Sequence, residues 1–526
     1  MTLRSPWPDA EIPDVPLTDF VLGDLGPRAD RTALVDGPSG HEITYRHLAD
    51  TVTATAGALQ RRGVRHGDVV AVRSRNNWQY AAAVHGALRA GATVTLLSPS
   101  ATDAEVSRQL KHSGARLLFT ESALVAGSVA LCASQGWAAD DVLVLDGDPE
   151  AGTPHRSLAD LVARGDEPSP VTIAPDRDVA LLPYSSGTSG PGKGVMLTHR
   201  NLVANMVQTT RFMTRLGPDS RTLALMPFFH IYGIQIVLNQ SLHAGACVVT
   251  MPQFEFTSFL EMIGKYRIDR LPVAPPILVM LAKDPVVDDH DLSSVRYLSS
   301  GAAPLDDEVV GLVKQRLGCH VRQGYGMTEL SPAAHAVPDH RTDIDAGAVG
   351  FMVPNMECRV VDLDTGRDVG PGEWGELWCR GPNVMKGYLH DEDATARTVD
   401  ADGFLHTGDV VSYDERGVFT VVDRVKELIK YKGHQVPPAE LEAVLLGHDG
   451  IADAAVVGVP DQLAGELPKA FVVRGPAGAE LDADTVMAYV AGHVPPYQRV
   501  RLVEFVDAIP KSPSGKLLRN ALRAGA

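Results

Sequence analysis

Short apolar runs, each long enough for a buried strand, alternate with helix-length segments through much of this chain, and few folds accept that pattern. Asp68-Val69-Val70-Ala71-Val72 reads as one such strand, 80–90 as a helix ended by Gly91, and 92–97 as the next strand. Alternation of this kind predicts parallel sheets joined by crossover helices. It resumes beyond a Gly/Ser-rich segment at 184–194. A helix is expected over 201–213, strands near 221–226 and 246–251, a helix near 256–265 and a strand near 270–273.

From about 347 to 387 the character changes. The β-like runs Cys358-Arg359-Val360-Val361-Asp362 and Gly375-Glu376-Leu377-Trp378-Cys379-Arg380 are separated by Gly, Pro and Asp turns, which predicts an antiparallel sheet or small barrel. A second change comes at Asp423-Arg424. Beyond it the chain reads as a compact α+β unit, with a helix starting near Pro437-Pro438-Ala439-Glu440 and strands near 454–459 and 469–473. Proline suits a helix start because its missing N–H would be unpaired there anyway. At 526 residues, the chain needs more than one ordinary domain.

The net charge of −17 argues against a general nucleic-acid binder, whose phosphate contacts need a surplus of Lys and Arg. It leaves room for a nucleotide site, which needs positive charge only locally. Cys132, Cys247, Cys319, Cys358 and Cys379 are scattered and lack the spacing of a disulfide framework or a zinc site. A reduced, cytoplasmic setting is expected. The first 20 residues carry prolines and acids where a secretory leader needs a basic start and an apolar stretch. The longest apolar run, 271–282, is too short to span a bilayer and is broken by Pro272, Pro275 and Pro276, so no membrane partner is expected.

The strongest local signal is Tyr184-Ser185-Ser186-Gly187-Thr188-Ser189-Gly190-Pro191-Gly192-Lys193-Gly194-Val195. Its glycines allow backbone N–H groups to approach an anion closely. Hydroxyls from Ser185, Ser186, Thr188 and Ser189 add donors, and Lys193 adds a mobile point charge suited to a phosphate. Gly187 to Lys193 also fits the opening of a P-loop, G-x-x-x-x-G-K. The next residue there should be Ser or Thr, to reach magnesium; it is Gly194. A P-loop nucleotidase therefore lacks its metal hydroxyl.

The whole segment resembles instead the first motif of the acyl-adenylate-forming superfamily, which includes acyl-CoA synthetases, adenylation domains and luciferases. The chain departs from that motif at Ser189, usually Thr, and at Gly192, usually Pro. Six further segments resemble the family in its usual order. Leu225-Met226-Pro227-Phe228-Phe229-His230-Ile231-Tyr232-Gly233 is similar to the segment whose histidine lies beside the reacting carboxylate. Ser299-Ser300-Gly301-Ala302-Ala303-Pro304 and Gln323-Gly324-Tyr325-Gly326-Met327-Thr328-Glu329 resemble the segments that sandwich adenine and line the acyl pocket. Gly403-Phe404-Leu405-His406-Thr407-Gly408-Asp409 resembles the ribose-binding segment. The run 422–436 resembles the hinge and its loop, and Pro510-Lys511-Ser512-Pro513-Ser514-Gly515-Lys516-Leu517 the catalytic-lysine motif. Read alone, His230 would be a core histidine, Asp409 a turn residue and the basic run at 424–432 a solvated face.

The resemblance implies an α/β fold: a large N-terminal domain of two α/β-sandwich subdomains plus a small β-barrel, then a small mobile α+β C-terminal domain. The expected boundaries are 1–422, with the barrel at about 347–422, and 423–526, with the hinge at Asp423-Arg424. It also implies roles. ATP or AMP would be held by Ser185, Ser186, Gly187, Thr188, Ser189, Lys193, Ala302, Gln323, Gly324, Tyr325, Thr328, Asp409, Arg424 and Lys516. Asp409 would accept the ribose hydroxyls, and Glu329 would hold Mg2+. Lys516, His230, Lys430 and Gln435 would serve catalysis, and Lys432 and Gly433 coenzyme A.

Within the superfamily the motifs resemble most closely the 4-coumarate:CoA ligases and bacterial cinnamate-activating relatives. Tyr232, Gly301, Ala302, Gly324, Pro332 and Ala333 would then line the acid pocket, where small residues leave room for a planar ring. The implied reaction is AMP-forming activation of an aromatic acid and transfer to coenzyme A. Benzoate-type and medium-chain acids, and a carrier-protein thiol supplied in trans, remain open, as does a monomer or a homodimer. The chain departs from the branch at His434, Gln253 and Gln498, where an aromatic and two basic residues are usual.

Overall fold

The structure, a computed structural model, describes residues 2–147, 157–185, 192–301, 307–511 and 517–523. Among them the expected alternation is realised in two sheets. In the larger, the strands Cys247–Thr250, Arg221–Ala224, Arg270–Val273, Tyr297–Ser300 and His320–Gly326 lie side by side and parallel. Their continuous apolar character follows from cover: the helices Phe256–Tyr266 and Pro275–Lys283 bury Phe259, Leu260, Ile263, Leu278 and Leu281 with Leu223, Val249, Leu271 and Leu298 in one core.

The second sheet centres on Val69–Arg73 and Thr93–Leu97, packed beneath the helices Tyr45–Arg61 and Trp78–Arg89. The expected helix at 80–90 starts two residues early, at Trp78, because the Asn77 side chain accepts the Tyr80 N–H (2.8 Å) and caps it. It stops where expected. Gly91 has φ +86°, the left-handed conformation that ends helices and that glycine adopts without penalty.

The barrel expected at 347–422 does not close. Ala348–Met352 pairs with Phe419–Arg424 on one side and with Ala333–Ala336 on the other. Ala333–Ala336 in turn pairs with His320–Gly326. The antiparallel strands therefore extend the large sheet, and the outermost, Glu357–Val361, takes Leu3–Arg4 on its free edge. Once Ala348–Met352 has a neighbour on both sides, no edge is left there for closure.

The region beyond Asp423-Arg424 folds as the expected α+β unit. The hairpin Ile451–Asp461/Gly465–Arg474 packs on the helices Pro438–Leu446 and Ala483–Ala491 around Leu441, Leu445, Val456, Val472 and Val486. Asp423 and Arg424 end the strand Phe419–Arg424. Asp423 Oδ2 accepts the Ala439 N–H (2.9 Å) in the first turn of Pro438–Leu446, whose own capping position, Pro437, has no side-chain acceptor. The buried Asp423 thus caps that helix from outside it. Burial pushes its carboxyl above the usual carboxylate range. Arg519 pairs with Glu442 (2.6 Å) and Arg523 with Glu427 (2.8 Å), which fastens the terminal helix Arg519–Arg523 to this unit.

Candidate active site

The carboxyl ends of the parallel strands are where open α/β sheets bind ligands, and the predicted floor residues lie there. Gly301 follows Tyr297–Ser300, and Gly324 and Tyr325 lie in the neighbouring strand His320–Gly326. A Cβ on Gly324 would stand 3.1 Å from the His335 carbonyl, while one on Gly301 would find only the Gly324 carbonyl, at 3.9 Å. The floor is therefore flat and its Gly301 side open. Pro332 and Ala333 border it. Asn205 holds Ala333 by both backbone groups (2.7 and 3.2 Å), and the Pro332 carbonyl accepts the Met327 N–H (3.0 Å).

Tyr232 opens a π-helical stretch, Tyr232–Asn239, a rare geometry that concentrates at functional sites. A side chain on Gly233 would collide with the Pro227 carbonyl, so glycine permits this tight turn. The Tyr232 hydroxyl reaches Ser299 Oγ (3.4 Å), and burial raises the phenol above its ordinary value. His230 is exposed at the same turn, and its Nδ1 accepts the Tyr232 N–H (3.3 Å). A neutral ring that accepts at Nδ1 carries its proton on Nε2.

On the phosphate side, Tyr184–Ser185 pairs with Lys193–Thr198 in a hairpin, with Ser185 opposite Lys193. Ser186, Gly187, Thr188 and Ser189 lie outside the described residues, as do Ala302 and Lys516. The Lys193 ammonium stands over the Tyr388 ring (4.7 Å), and the Tyr388 hydroxyl donates to Glu329 Oε1 (2.9 Å). Glu329 is buried, which raises its carboxyl above the usual range. Thr328 is adjacent, at the start of the short turn Thr328–Leu330. Among the described residues no cluster of three or more metal-ligating side chains occurs. One carboxylate beside a phosphate site still fits Mg2+, which takes few protein ligands and draws the rest from substrate phosphates and water.

The third element is Asp409. It is buried, accepts the Tyr325 hydroxyl at Oδ2 (2.6 Å) and pairs at Oδ1 with Arg424 Nε (3.1 Å). Three expected nucleotide residues thus form one contact. Gln323 is buried beside them, and its side chain donates to the Ala346 carbonyl.

The hinge-loop residues stand apart. Lys432 (φ +49°) and Gly433 (φ +81°) form the two-residue turn of the hairpin Ile429–Tyr431/His434–Val436. The Lys430 N–H goes to Glu466 (2.8 Å), and the Gln435 amide goes to Asp364 (3.4 Å). These contacts run to the C-terminal unit and to the turn after Glu357–Val361, not to Tyr232, Glu329 or Asp409. His434 stacks on Tyr497 (4.5 Å). Sequence reasoning missed Tyr388, the link between Lys193 and Glu329. A tyrosine with no periodic or charge pattern offers no signal for such a bridge.

A glycine floor at the ends of the parallel strands, a hairpin carrying Lys193, a buried Glu329 and a buried Asp409 are the features expected of the adenylate-forming class of enzymes. Comparison with known proteins agrees. The AMP-binding enzyme family matches residues 25–389, and the AMP-binding enzyme C-terminal domain matches residues 440–516. The chain belongs to the AMP-binding enzyme family. It is 40% identical over 529 residues to 4-coumarate--CoA ligase 5 of Oryza sativa subsp. japonica, covering 99% of this chain and 96% of that one. Its fold is similar to ATP-bound MatB from Rhodopseudomonas palustris (TM-score 0.88, 28% identity, 98% and 99% of the two chains). It is equally similar to the anthranilate CoA ligase AuaEII in complex with anthranoyl-AMP (TM-score 0.88, 25% identity, 97% of each chain).

Proposed function

We propose that this chain is an AMP-forming acid:CoA ligase that activates an aromatic, cinnamate-like acid with ATP and passes the acyl group to coenzyme A. The observation that carries the reading is the convergence of Lys193–Tyr388–Glu329 and Tyr325–Asp409–Arg424 around the Gly301/Gly324 floor. Whole-chain similarity to 4-coumarate–CoA ligases supports the aromatic acid and the thiol acceptor.

In the first half-reaction a carboxylate oxygen bonds to the α-phosphorus of ATP, the bond to the β-phosphate oxygen breaks, and pyrophosphate leaves. Lys193 and the hairpin backbone hold the phosphates, Asp409 and Arg424 the ribose, and Tyr232 and the glycine floor the acid. Glu329, with Thr328 beside it, would hold Mg2+, which when bound neutralises phosphate charge. His230 orients the carboxylate. Lys516 stabilises the negative charge that develops on the transferring oxygens, a contribution of about 3 kcal/mol or more for a group of this kind. In the second half-reaction the thiol sulfur bonds to the adenylate carbonyl carbon and AMP leaves. Because Lys430 and Gln435 face away from the crevice, they reach it by rotation of 423–526 about Asp423-Arg424, a domain motion of a known type. Lys432 and Gly433 then meet coenzyme A.

The test separates the halves. Lys516→Ala abolishes acid-dependent ATP–pyrophosphate exchange but keeps thioester formation from a supplied acyl-adenylate; equal loss of both refutes the assignment. A screen of aryl and alkyl acids for CoA-dependent release of AMP, not ADP, tests the acid, and turnover of no aryl acid removes the aromatic reading. Competition between free coenzyme A and a phosphopantetheinylated carrier protein tests the thiol. The five cysteines are free and buried, which suits the reducing, cytoplasmic setting proposed here, and among the described residues no helix is long and apolar enough to cross a membrane.

A further inference from the structure

The strand Lys193–Thr198 has a neighbour on each edge near its start. Tyr184–Ser185 pairs with it on one side, Tyr184 opposite Gly194, and Gly387–Tyr388 pairs with Val195 and Met196 on the other. The Leu389 N–H then donates to the Gly194 carbonyl (2.8 Å). A Cβ on Gly194 would stand 3.3 Å from both the Tyr184 ring and Leu389 Cβ. The two flanks therefore both reach the face of the strand that Gly194, beside Lys193, leaves uncovered.

One side chain from another element touches both flanks. His112 Nδ1 shares a hydrogen bond with the Tyr184 hydroxyl (2.7 Å), and its ring lies edge-on to that of His390 (centroids 5.6 Å), the residue after Leu389. His112 stands in the last turn of the helix Asp103–Ser113, which is fixed to the same sheet. Val106 and Leu110 share a core with Ala71, Leu97 and Leu118. Gln109 donates to Thr95 Oγ1 (3.0 Å) and to the Leu96 carbonyl (2.9 Å), and Thr95 donates to the Leu182 carbonyl (2.9 Å), two residues before Tyr184. The His112 ring is therefore carried on a rigid support although it is itself exposed. Burial raises the Tyr184 phenol above its ordinary value, so it stays a neutral hydroxyl.

We propose that His112 is a positioning residue for ATP: it clasps Tyr184 and His390 across Gly194 and so holds Lys193 and Tyr388 in place for the phosphates. The ring does not meet the nucleotide; it acts through Tyr184. The inference rests on the proposed reading of the Lys193 hairpin as the phosphate site.

The test measures calorimetric binding of MgATP, and kcat and KM in acid-dependent ATP–pyrophosphate exchange. It compares the wild type with His112→Ala, His112→Asn, Tyr184→Phe and the double variant His112→Ala/Tyr184→Phe. In His112→Ala the Kd and KM for ATP rise roughly two- to tenfold, the worth of one neutral hydrogen bond. The KM for the acid stays as in the wild type, and thermal unfolding shifts no more than for an ordinary surface substitution. His112→Asn keeps a polar atom near the place of Nδ1 and recovers most of the loss, a rescue that a merely structural role does not give. Tyr184→Phe reproduces the rise, and the double variant binds ATP no more weakly than His112→Ala, because both changes remove one contact. An unchanged Kd for ATP in His112→Ala, or an additive loss in the double variant, overturns the inference and leaves the proposed function standing. A wild type that binds ATP but activates no acid refutes the proposed function alone, and the Kd comparison then decides the inference. Failure of the wild type to bind MgATP overturns both.

Discussion

Replacing Asp409 by asparagine keeps the shape of the side chain and removes its charge, and the structure sets the size of the effect. The carboxylate is buried and bonded to the Tyr325 hydroxyl (2.6 Å) and Arg424 Nε (3.1 Å), so it is preoriented before any nucleotide arrives. If its oxygens accept the two ribose hydroxyls, each is a charge-assisted bond of about 1.5–3 kcal/mol. Asparagine offers one acceptor. One bond is lost and the other falls to about half, for a total of about 2–4.5 kcal/mol, or roughly 30- to 2,000-fold in kcat/KM for ATP. The assay is acid-dependent ATP–pyrophosphate exchange, run with ATP and with 2′-deoxyATP. The wild type discriminates against the deoxynucleotide by roughly 10- to 150-fold, the worth of one charge-assisted bond. Asp409→Asn retains only about three- to tenfold. Equal discrimination by the two proteins would show that Asp409 does not touch the ribose, whatever the drop in rate.

Glu329→Gln removes the one carboxylate beside the Lys193–Tyr388 contact and raises the Mg2+ concentration for half-maximal exchange by about tenfold or more; an unchanged Mg2+ titration counts against the metal role. Glu442→Gln strands the Arg519 guanidinium and costs about 3–5 kcal/mol, the range for breaking a buried pair; calorimetry should show the C-terminal unit melting earlier, and an unshifted trace contradicts the pairing. His85, His199 and His335 are held neutral by burial, their pKa values pushed down to about 4, about 4 and about 3. Unfolded histidines bind protons below about pH 6.5. The unfolded chain therefore takes up more protons between that value and the folded ones. The stability is complete above about pH 6.5 and declines as pH falls toward 4, by up to about 1.4 kcal/mol per pH unit for each histidine. His335, whose ring nitrogens have no hydrogen-bond partner, is the cleanest probe: His335→Leu should flatten the fall of Tm between pH 6.5 and 4.5, and an equally steep fall rules the residue out as a source.

Local pattern was enough wherever one segment carries its own stop signals. The strand at 270–273 matches its expected bounds, and the helix before Gly91 misses only at its start, where Asn77 rather than hydrophobic periodicity decides. Ordered motifs likewise singled out Lys193, Gly324, Asp409 and Glu329 as candidate site residues. Edge pairing was not legible in this way. The runs at 358–362 and 375–380 look the same in a closed barrel and in an extended sheet. Only the pairing of Ala348–Met352 with Ala333–Ala336 rules out closure there.

Alternation, turn residues and motif order, all properties of neighbouring residues, determined the α/β class and the family. The tertiary structure decided the contacts that join distant positions. The Tyr325–Asp409 bond spans 84 residues and the Tyr232–Ser299 contact 67. Arg322 meets Asp339 and Tyr388 meets Glu329 only after the sheets have formed. Those partners are set by the register of strands brought together across long loops, and a linear pattern carries no record of register between segments it does not yet know to be neighbours.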